Sequence, residues 1–278
     1  MLRRYPVTYI SSWLDGYRLR GDFDQVRAFV MFVGQPRTGH SIVGALLDAH
    51  PNTLIAHELD ALKYVTAGYD RRRLYALLVR AQQERIAAGH ISATGYQYLV
   101  DGQWQGRYEQ LQVIGDKKGG QSTARLGADI GLLDRLRATV GVDVHVVQVV
   151  RNPYDVIATM QRRAPNRRLP DVVDLFFDLA VTVDEVRRRV PPERFHELHH
   201  DALITDPTAT LSKLCTFLSL PAPADYLAAC SAIIFDTPRR TRGDVAWTPE
   251  LIECVRARLA EHPSLEHYGY EATSAEAS

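Results

Sequence analysis

The strongest chemical signal in the chain is one short segment, Gly34-Gln35-Pro36-Arg37-Thr38-Gly39-His40-Ser41, set between an apolar run and an amphipathic stretch. Two glycines at this spacing let the backbone turn so tightly that successive N–H groups face one point, and the positive end of a following helix adds to them. This is the spacing of a phosphate-binding loop, G-x-x-x-x-G-K-[ST], with His40 in the place of the lysine. A nucleoside triphosphatase uses that lysine on its terminal phosphates and the adjacent hydroxyl on magnesium. Here the cation stands inside the loop, at Arg37, so the pattern implies an anion site of a different chemistry.

Other residues fall at matching places. Arg151-Asn152-Pro153-Tyr154-Asp155 runs on to Thr159 and follows the strongest strand candidate of the chain. Asn152 and Pro153 read as a helix N-cap and first helical position, with Thr159 two turns along. Taken alone this is an ordinary capped strand-to-helix turn. Glu58 follows a second strand, whose end would aim it at the first loop; a first-turn carboxylate favoured by the helix dipole is the plainer reading of the same residue. His57 stands beside it as a reserve base. Lys117 and Lys118, two of only four lysines, close another strand pattern. His196, His199 and His200 fall on mixed faces of an alternating strand, and no His, Asp or Glu spacing makes a convincing metal site.

These residues must be positioned by elements that the apolar pattern supplies. Ala28 to Val33 is a continuous apolar run suited to a buried parallel strand, followed by a helix over Ser41 to Ala49. Thr53 to Ala56, Leu111 to Gly115 and Val144 to Val150 are further strand candidates. Residues 70–89 follow helical spacing through Leu74, Leu77, Leu78 and Ala81. Val172, Phe176, Leu179 and Val183 mark another helix, and Asp206-Pro207 starts one carrying Leu211, Leu214, Cys215 and Leu218. Apolar strands alternating with amphipathic helices predict an α/β protein, a P-loop-type three-layer sandwich with a central parallel sheet flanked by helices. No composition break divides it, so residues 1–278 read as one domain, with a frayed tail over 271–278.

The composition bounds the partners. The chain has 278 residues, with 33 Lys or Arg against 33 Asp or Glu, so its formal net charge is zero. That balance argues against a broad nucleic-acid-binding surface. Of its cations 29 are arginine, a preference that genomic base composition or a taste for phosphate-like groups would equally produce. Cys215, Cys230 and Cys254 form no Cys-x-x-Cys pair and suit reduced thiols. The opening MLRRYPVTYISSW lacks the apolar run of a signal peptide and no stretch is long enough for a transmembrane segment, so the expected location is cytoplasmic.

The Pro-Arg-Thr-Gly-His-Ser loop resembles the 5′-phosphosulfate loop of the sulfotransferases, P-[KR]-[ST]-G-[TS]-[ST], enzymes that use 3′-phosphoadenosine 5′-phosphosulfate (PAPS) as sulfuryl donor. Arg151 through Thr159 is similar to the family's 3′-phosphate motif, R-[ND]-P-x-D-x-x-x-[ST]. Leu47-Asp48-Ala49-His50-Pro51 and His200-Asp201-Ala202-Leu203 with Asp206-Pro207 resemble further family segments, and Arg239-Arg240-Thr241-Arg242-Gly243-Asp244 with Trp247 is similar to the basic loop that covers the 3′-phosphate. The resemblance implies that Arg37, Thr38, Gly39, His40 and Ser41 hold the 5′-phosphosulfate and that Arg151, Thr159, Arg239, Arg240, Arg242 and Gly243 hold the 3′-phosphate. Glu58 matches the place of the catalytic glutamate of the tyrosylprotein and carbohydrate branch. Lys117, in Gly115-Asp116-Lys117-Lys118, matches a G-D-K segment and would stabilise the bridging oxygen. No metal is implied. The expected reaction moves a sulfuryl group from PAPS to a hydroxyl of a carbohydrate, glycolipid or small metabolite. Residues 60–110 would form the acceptor side, with Tyr64, Tyr69, Tyr96, Tyr98, Trp104 and Tyr108. The competing readings are a P-loop kinase using ATP and magnesium, and a non-catalytic anion-binding protein.

Overall fold

A computed structural model describes residues 5–89 and 98–271. In chain order its elements are helices α1 (Tyr5–Arg18) and α2 (Arg20–Phe23), strand β1 (Ala28–Val33), α3 (His40–Asp48), β2 (Thr53–His57), α4 (Ala61–Thr66) and α5 (Arg71–Ala87). Then come β3 (Val113–Lys117), α6 (Gly119–Ala128), α7 (Leu132–Val140), β4 (Asp143–Val150), α8 (Pro153–Arg163), α9 (Leu169–Arg189) and β5 (Phe195–His199). Four helices close the chain: α10 (His200–Thr205), α11 (Pro207–Phe217), α12 (Ala224–Ser231) and α13 (Pro249–Leu259).

The five strands form one sheet in the order β2-β3-β1-β4-β5, and every pairing is parallel. Both faces are covered, which is why β1 reads as an unbroken apolar run rather than an alternating one. Phe29, Met31 and Val33 pack with Leu74, Leu78, Leu133 and Val183 of α5, α7 and α9 on one side. Ala28, Val30 and Phe32 pack with Val43, Leu46, Leu211 and Leu214 of α3 and α11 on the other. The architecture is thus the expected three-layer α/β sandwich. Among the described residues no helix is long and apolar enough to cross a membrane.

The one notable boundary shift concerns β3. It begins at Val113 and runs through Lys117, whose backbone pairs with His57 of β2. Lys117 is therefore a strand residue fixed by the sheet rather than a loop residue beyond it. Because β1 lies between β3 and β4, the turns after all three open at the same edge, on either side of the central strand, where a parallel sheet presents its ligand crevice. Of the tail, residues 272–278 lie outside the described residues, as does Tyr96.

Candidate active site

The first turn is shaped by left-handed backbone. Gly34 has φ 124°, Arg37 φ 78° and Gly39 φ 111°. A non-glycine residue in that region is strained by about 1–3 kcal/mol and survives only where its surroundings fix it. The fixing contacts are buried: the Gly34 N–H donates to Thr123 Oγ1 at 2.8 Å, and the Thr38 hydroxyl donates to the Gln35 carbonyl at 3.2 Å. A methyl at Gly39 would stand 2.7 Å from the His200 ring, so only glycine lets the start of α10 close over the loop.

His40, at the position of the missing lysine, folds back beneath the loop. Its Nε2 donates to the Val33 carbonyl at 3.0 Å, and its ring packs edge-on against Phe32. Burial, with the nearby Lys117 charge, pushes its pKa down to about 4, so the ring is neutral at ordinary pH. Its side chain supports the turn and supplies no cationic substitute for the lysine.

The cation comes from the neighbouring strand. Lys117 Nζ lies 3.1 Å from Ser41 Oγ, 2.8 Å from Glu58 Oε1 and 3.3 Å from His57 Nε2, with 3% of its side chain exposed. Its stem crosses α3 at Gly44, where a methyl would sit 2.8 Å from Lys117 Cγ. Burial lowers the Lys117 pKa, and the Glu58 carboxylate partly restores it. Glu58 has φ 67° and also accepts from Lys118 Nζ at 3.3 Å. Burial pushes its carboxyl up, but the Lys117 and Lys118 ammonium groups outweigh that and hold it down at about 2. His57 is lowered to about 3 by burial and by Lys117 and Arg85, and is neutral.

The turn that carries Glu58 is held from below. Asp116, which points to the opposite face of β3 from Lys117, accepts from Leu59 N–H at 3.0 Å and Ala61 N–H at 2.7 Å. Asp60, itself at φ 69°, receives both arms of the Arg125 guanidinium at 2.8 and 2.6 Å. Two strained residues in one short turn are thus pinned by one buried carboxylate and one bidentate ion pair.

The second turn follows β4. Asn152 caps α8 by accepting from the Tyr154 N–H at 3.0 Å. The Arg151 guanidinium donates to the Arg37 carbonyl at 3.4 Å and to the Arg239 carbonyl, tying the first loop to the C-terminal basic segment. Burial lowers its pKa in spite of Asp155 nearby. Thr159 Oγ1 lies 2.9 Å from Thr241 Oγ1. Arg239 and Thr241 line the cleft above these residues, whereas Arg240 and Gly243 do not. Arg242, expected on the 3′-phosphate, is turned inward: its guanidinium grips Asp155 at 2.8 Å and also donates to the Tyr270 carbonyl. Asp155 in addition accepts from the Thr241 and Arg242 N–H groups at 2.7 and 2.8 Å. Arg242 thereby anchors the basic segment to α8.

These turns enclose a cleft of about 1860 Å³, larger than the roughly 300–1,000 Å³ of a common small-molecule pocket and large enough for two ligands side by side. Of the aromatic residues expected on the acceptor side, Tyr98 is the one among the described residues that lines it. Tyr64 and Tyr69 pack against each other beside α4, Trp104 lies under the Arg107 guanidinium, and the Tyr108 hydroxyl donates to Asp22 at 2.7 Å. They belong to the packing of the segment rather than to the cleft.

Residues 30–224 match the family described as the Sulfotransferase family. The chain belongs to the sulfotransferase family. Sulfuryl transfer is its general chemistry, and the match gives no support to a P-loop kinase using ATP and magnesium. None of the curated proteins matches in sequence. Among solved structures, sulfotransferase STF1 from Mycobacterium tuberculosis is similar at 16% identity and TM-score 0.52, covering 90% of this chain and 81% of that one. The sulfotransferase domain of the Synechococcus olefin synthase is similar at 17% identity and TM-score 0.51, covering 84% and 88%. At such identities the likeness shows a shared fold.

Several residues that shape this sulfotransferase site carry weak sequence signals. Asp116 is visible only through the period-two alternation that turns it away from Lys117. Gly44 sits inside a helix where glycine is disfavoured, a mark of close approach. Asp155 lies in the Arg-Asn-Pro-Tyr-Asp segment, but its partner Arg242 is too distant in sequence for spacing to reveal the pair. His196 stacks on Phe217, His199 bonds Glu197 at 2.8 Å, and His200 covers Gly39, so the three histidines have separate surroundings.

Proposed function

We propose that this sulfotransferase moves the sulfuryl group of PAPS to an acceptor hydroxyl, with Glu58 as general base. The observation that carries the reading is the meeting of three groups around one buried ammonium: the Ser41 hydroxyl at the phosphate turn, the Glu58 carboxylate and Lys117 itself. A carboxylate that takes a proton and a cation that stabilises departing negative charge belong at this distance from one another in an in-line displacement. The donor supplies an activated sulfur–oxygen bond, and its chemistry fits the residues present: a glycine turn for one anion, and Arg151 with Thr159 for a second.

In this reading Arg37 and the N–H groups of Thr38, Gly39, His40 and Ser41 hold the phosphosulfate. Arg151, Thr159 and Arg239 hold the 3′-phosphate, with Arg242 and Gly243 shaping their loop and Arg240 at its exposed edge. Glu58 takes the acceptor proton as the acceptor oxygen bonds sulfur. The bond from sulfur to the bridging oxygen breaks with its electron pair, and Lys117 stabilises the oxygen that leaves. The neutral His57 ring beside Lys117 is the alternative proton acceptor, and the same experiments separate the two.

Glu58→Gln lowers turnover by about 10²–10⁴-fold, the range of general base catalysis, while adenosine 3′,5′-bisphosphate binds nearly as tightly as before. Normal turnover in that variant assigns the base elsewhere. Arg151→Ala weakens adenosine 3′,5′-bisphosphate by about 10–100-fold, the scale of a charged hydrogen bond to phosphate, and leaves adenosine 5′-phosphate little changed. Both are read by calorimetry. Thermal stabilisation by the bisphosphate without magnesium accompanies this reading, and stabilisation by ATP and magnesium alone overturns it.

A further inference from the structure

The cleft is far more positive than its donor requires. Among the described residues nine Lys and Arg side chains line it, against Glu58 as the one carboxylate, on a chain whose total charge is zero. A phosphosulfate and a phosphate monoester together bring about four negative charges at neutral pH. Roughly half of the positive excess is left unmatched by the donor once it is in place, and Asp244 offsets part of that through Arg162.

The surplus has a location. Lys117 and Lys118 pair with Glu58, Arg162 pairs with Asp244, and Arg151 bonds two carbonyls at the donor end. Arg163 and Arg167, by contrast, form no ion pair among the described residues and line the cleft close together in sequence, whereas Arg85, also without an ion pair, lies apart near His57. Arg163 lies one helical turn beyond Thr159 on the same face of α8. Arg167 sits in the turn after α8, held by Gln161 Nε2 donating to its carbonyl at 2.7 Å and by its own N–H on Ala164 at 3.0 Å. The Arg37 pKa is lowered first by burial and then by Arg163, so the two guanidinium groups feel each other across the cleft. Beside them Met160, Val172, Leu175 and Leu179 of α8 and α9 give the cleft an apolar wall.

From this juxtaposition of unpaired arginines and apolar wall we infer that the acceptor hydroxyl belongs to an anionic amphiphile, whose phosphate or carboxylate is held by Arg163 and Arg167 and whose apolar part lies along Met160, Val172, Leu175 and Leu179. The inference rests on the proposed donor occupying the Arg37–Arg151 end. It names a substrate class: a hydroxylated acid with an aliphatic portion, free in solution or displayed as a lipid headgroup.

The test uses the full chain loaded with adenosine 3′,5′-bisphosphate and two non-reacting probes, decyl phosphate and decanol. Decyl phosphate is expected to bind at least about tenfold more tightly than decanol, and Arg163→Ala/Arg167→Ala is expected to erase the difference while the affinity for the bisphosphate stays unchanged, which also reports a folded variant. Equal affinity for the two probes overturns the inference, as does a preference that persists in the double variant. Failure of the bisphosphate to bind overturns the donor reading instead, and the inference with it. Vesicles of phosphatidylglycerol and of phosphatidylcholine separate the sources. Recruitment to the anionic vesicles that is lost in the double variant indicates a lipid headgroup, and tight decyl phosphate binding without recruitment indicates a soluble acid.

Discussion

Glu58 and Lys117 hold each other in protonation states that suit the resting protein better than the reaction. With two ammonium groups on it, Glu58 is held at about 2 and is a feeble base. A bound phosphosulfate draws Lys117 toward its own oxygens and sets negative charge beside the carboxylate, and both effects raise the Glu58 pKa. The deprotonated carboxylate is the active form. The acid limb that Glu58 contributes to kcat, which reports the complex, therefore falls at higher pH than the limb it contributes to kcat/KM, which reports the free enzyme. Coincident limbs in rate measurements across pH 4–8 would remove Glu58 from this role. At this scale much was legible: Arg37, Glu58, Lys117 and Arg151 all sit where strand ends turn toward the crevice. The inward turn of Arg242 was not legible, because its Asp155 partner lies 87 positions away and no local pattern encodes the pairing.

The elements read well from apolar pattern because a doubly covered parallel sheet writes its strands as continuous apolar runs. What the pattern lacks is the close approach of one element to another. Lys117 reaches the phosphate turn only because α3 is thinned at Gly44. Gly44→Ala is expected to displace the Lys117 stem and lower kcat by about tenfold or more. The loss of one mispositioned charge-stabilising group accounts for that size. The change in melting temperature stays small, since alanine offsets part of the strain by about 1 kcal/mol of helix propensity. Unchanged kcat in Gly44→Ala would show that Lys117 tolerates the shift. The Glu58 turn was read as a simple strand end; its two left-handed residues depend on Asp116 and Arg125, contacts that arise only when β3 and α6 pack beside it.

At the scale of the molecule the site is closed by a latch. Asp155 receives two backbone N–H groups and the Arg242 guanidinium in a place where 5% and 10% of the two side chains remain exposed. Breaking such a pair costs about 3–5 kcal/mol because one buried charge is left alone. Asp155→Asn is expected to lower stability by about that much in urea titration and to weaken adenosine 3′,5′-bisphosphate, since Arg239 and Thr241 ride on the released segment. Retention of full bisphosphate affinity would separate the latch from the donor site. The central position of β1 in the sheet has a further consequence for how the chain is made. β1 is complete at residue 33, yet its two partners, β3 and β4, begin only at residues 113 and 143. During synthesis a six-residue stretch of Ala, Phe, Val and Met therefore waits with both edges unpaired while more than a hundred residues follow it. Late, long-range pairing of this kind folds slowly and exposes a sticky strand meanwhile, so β1 is a segment open to a chaperone, or to aggregation, in that interval.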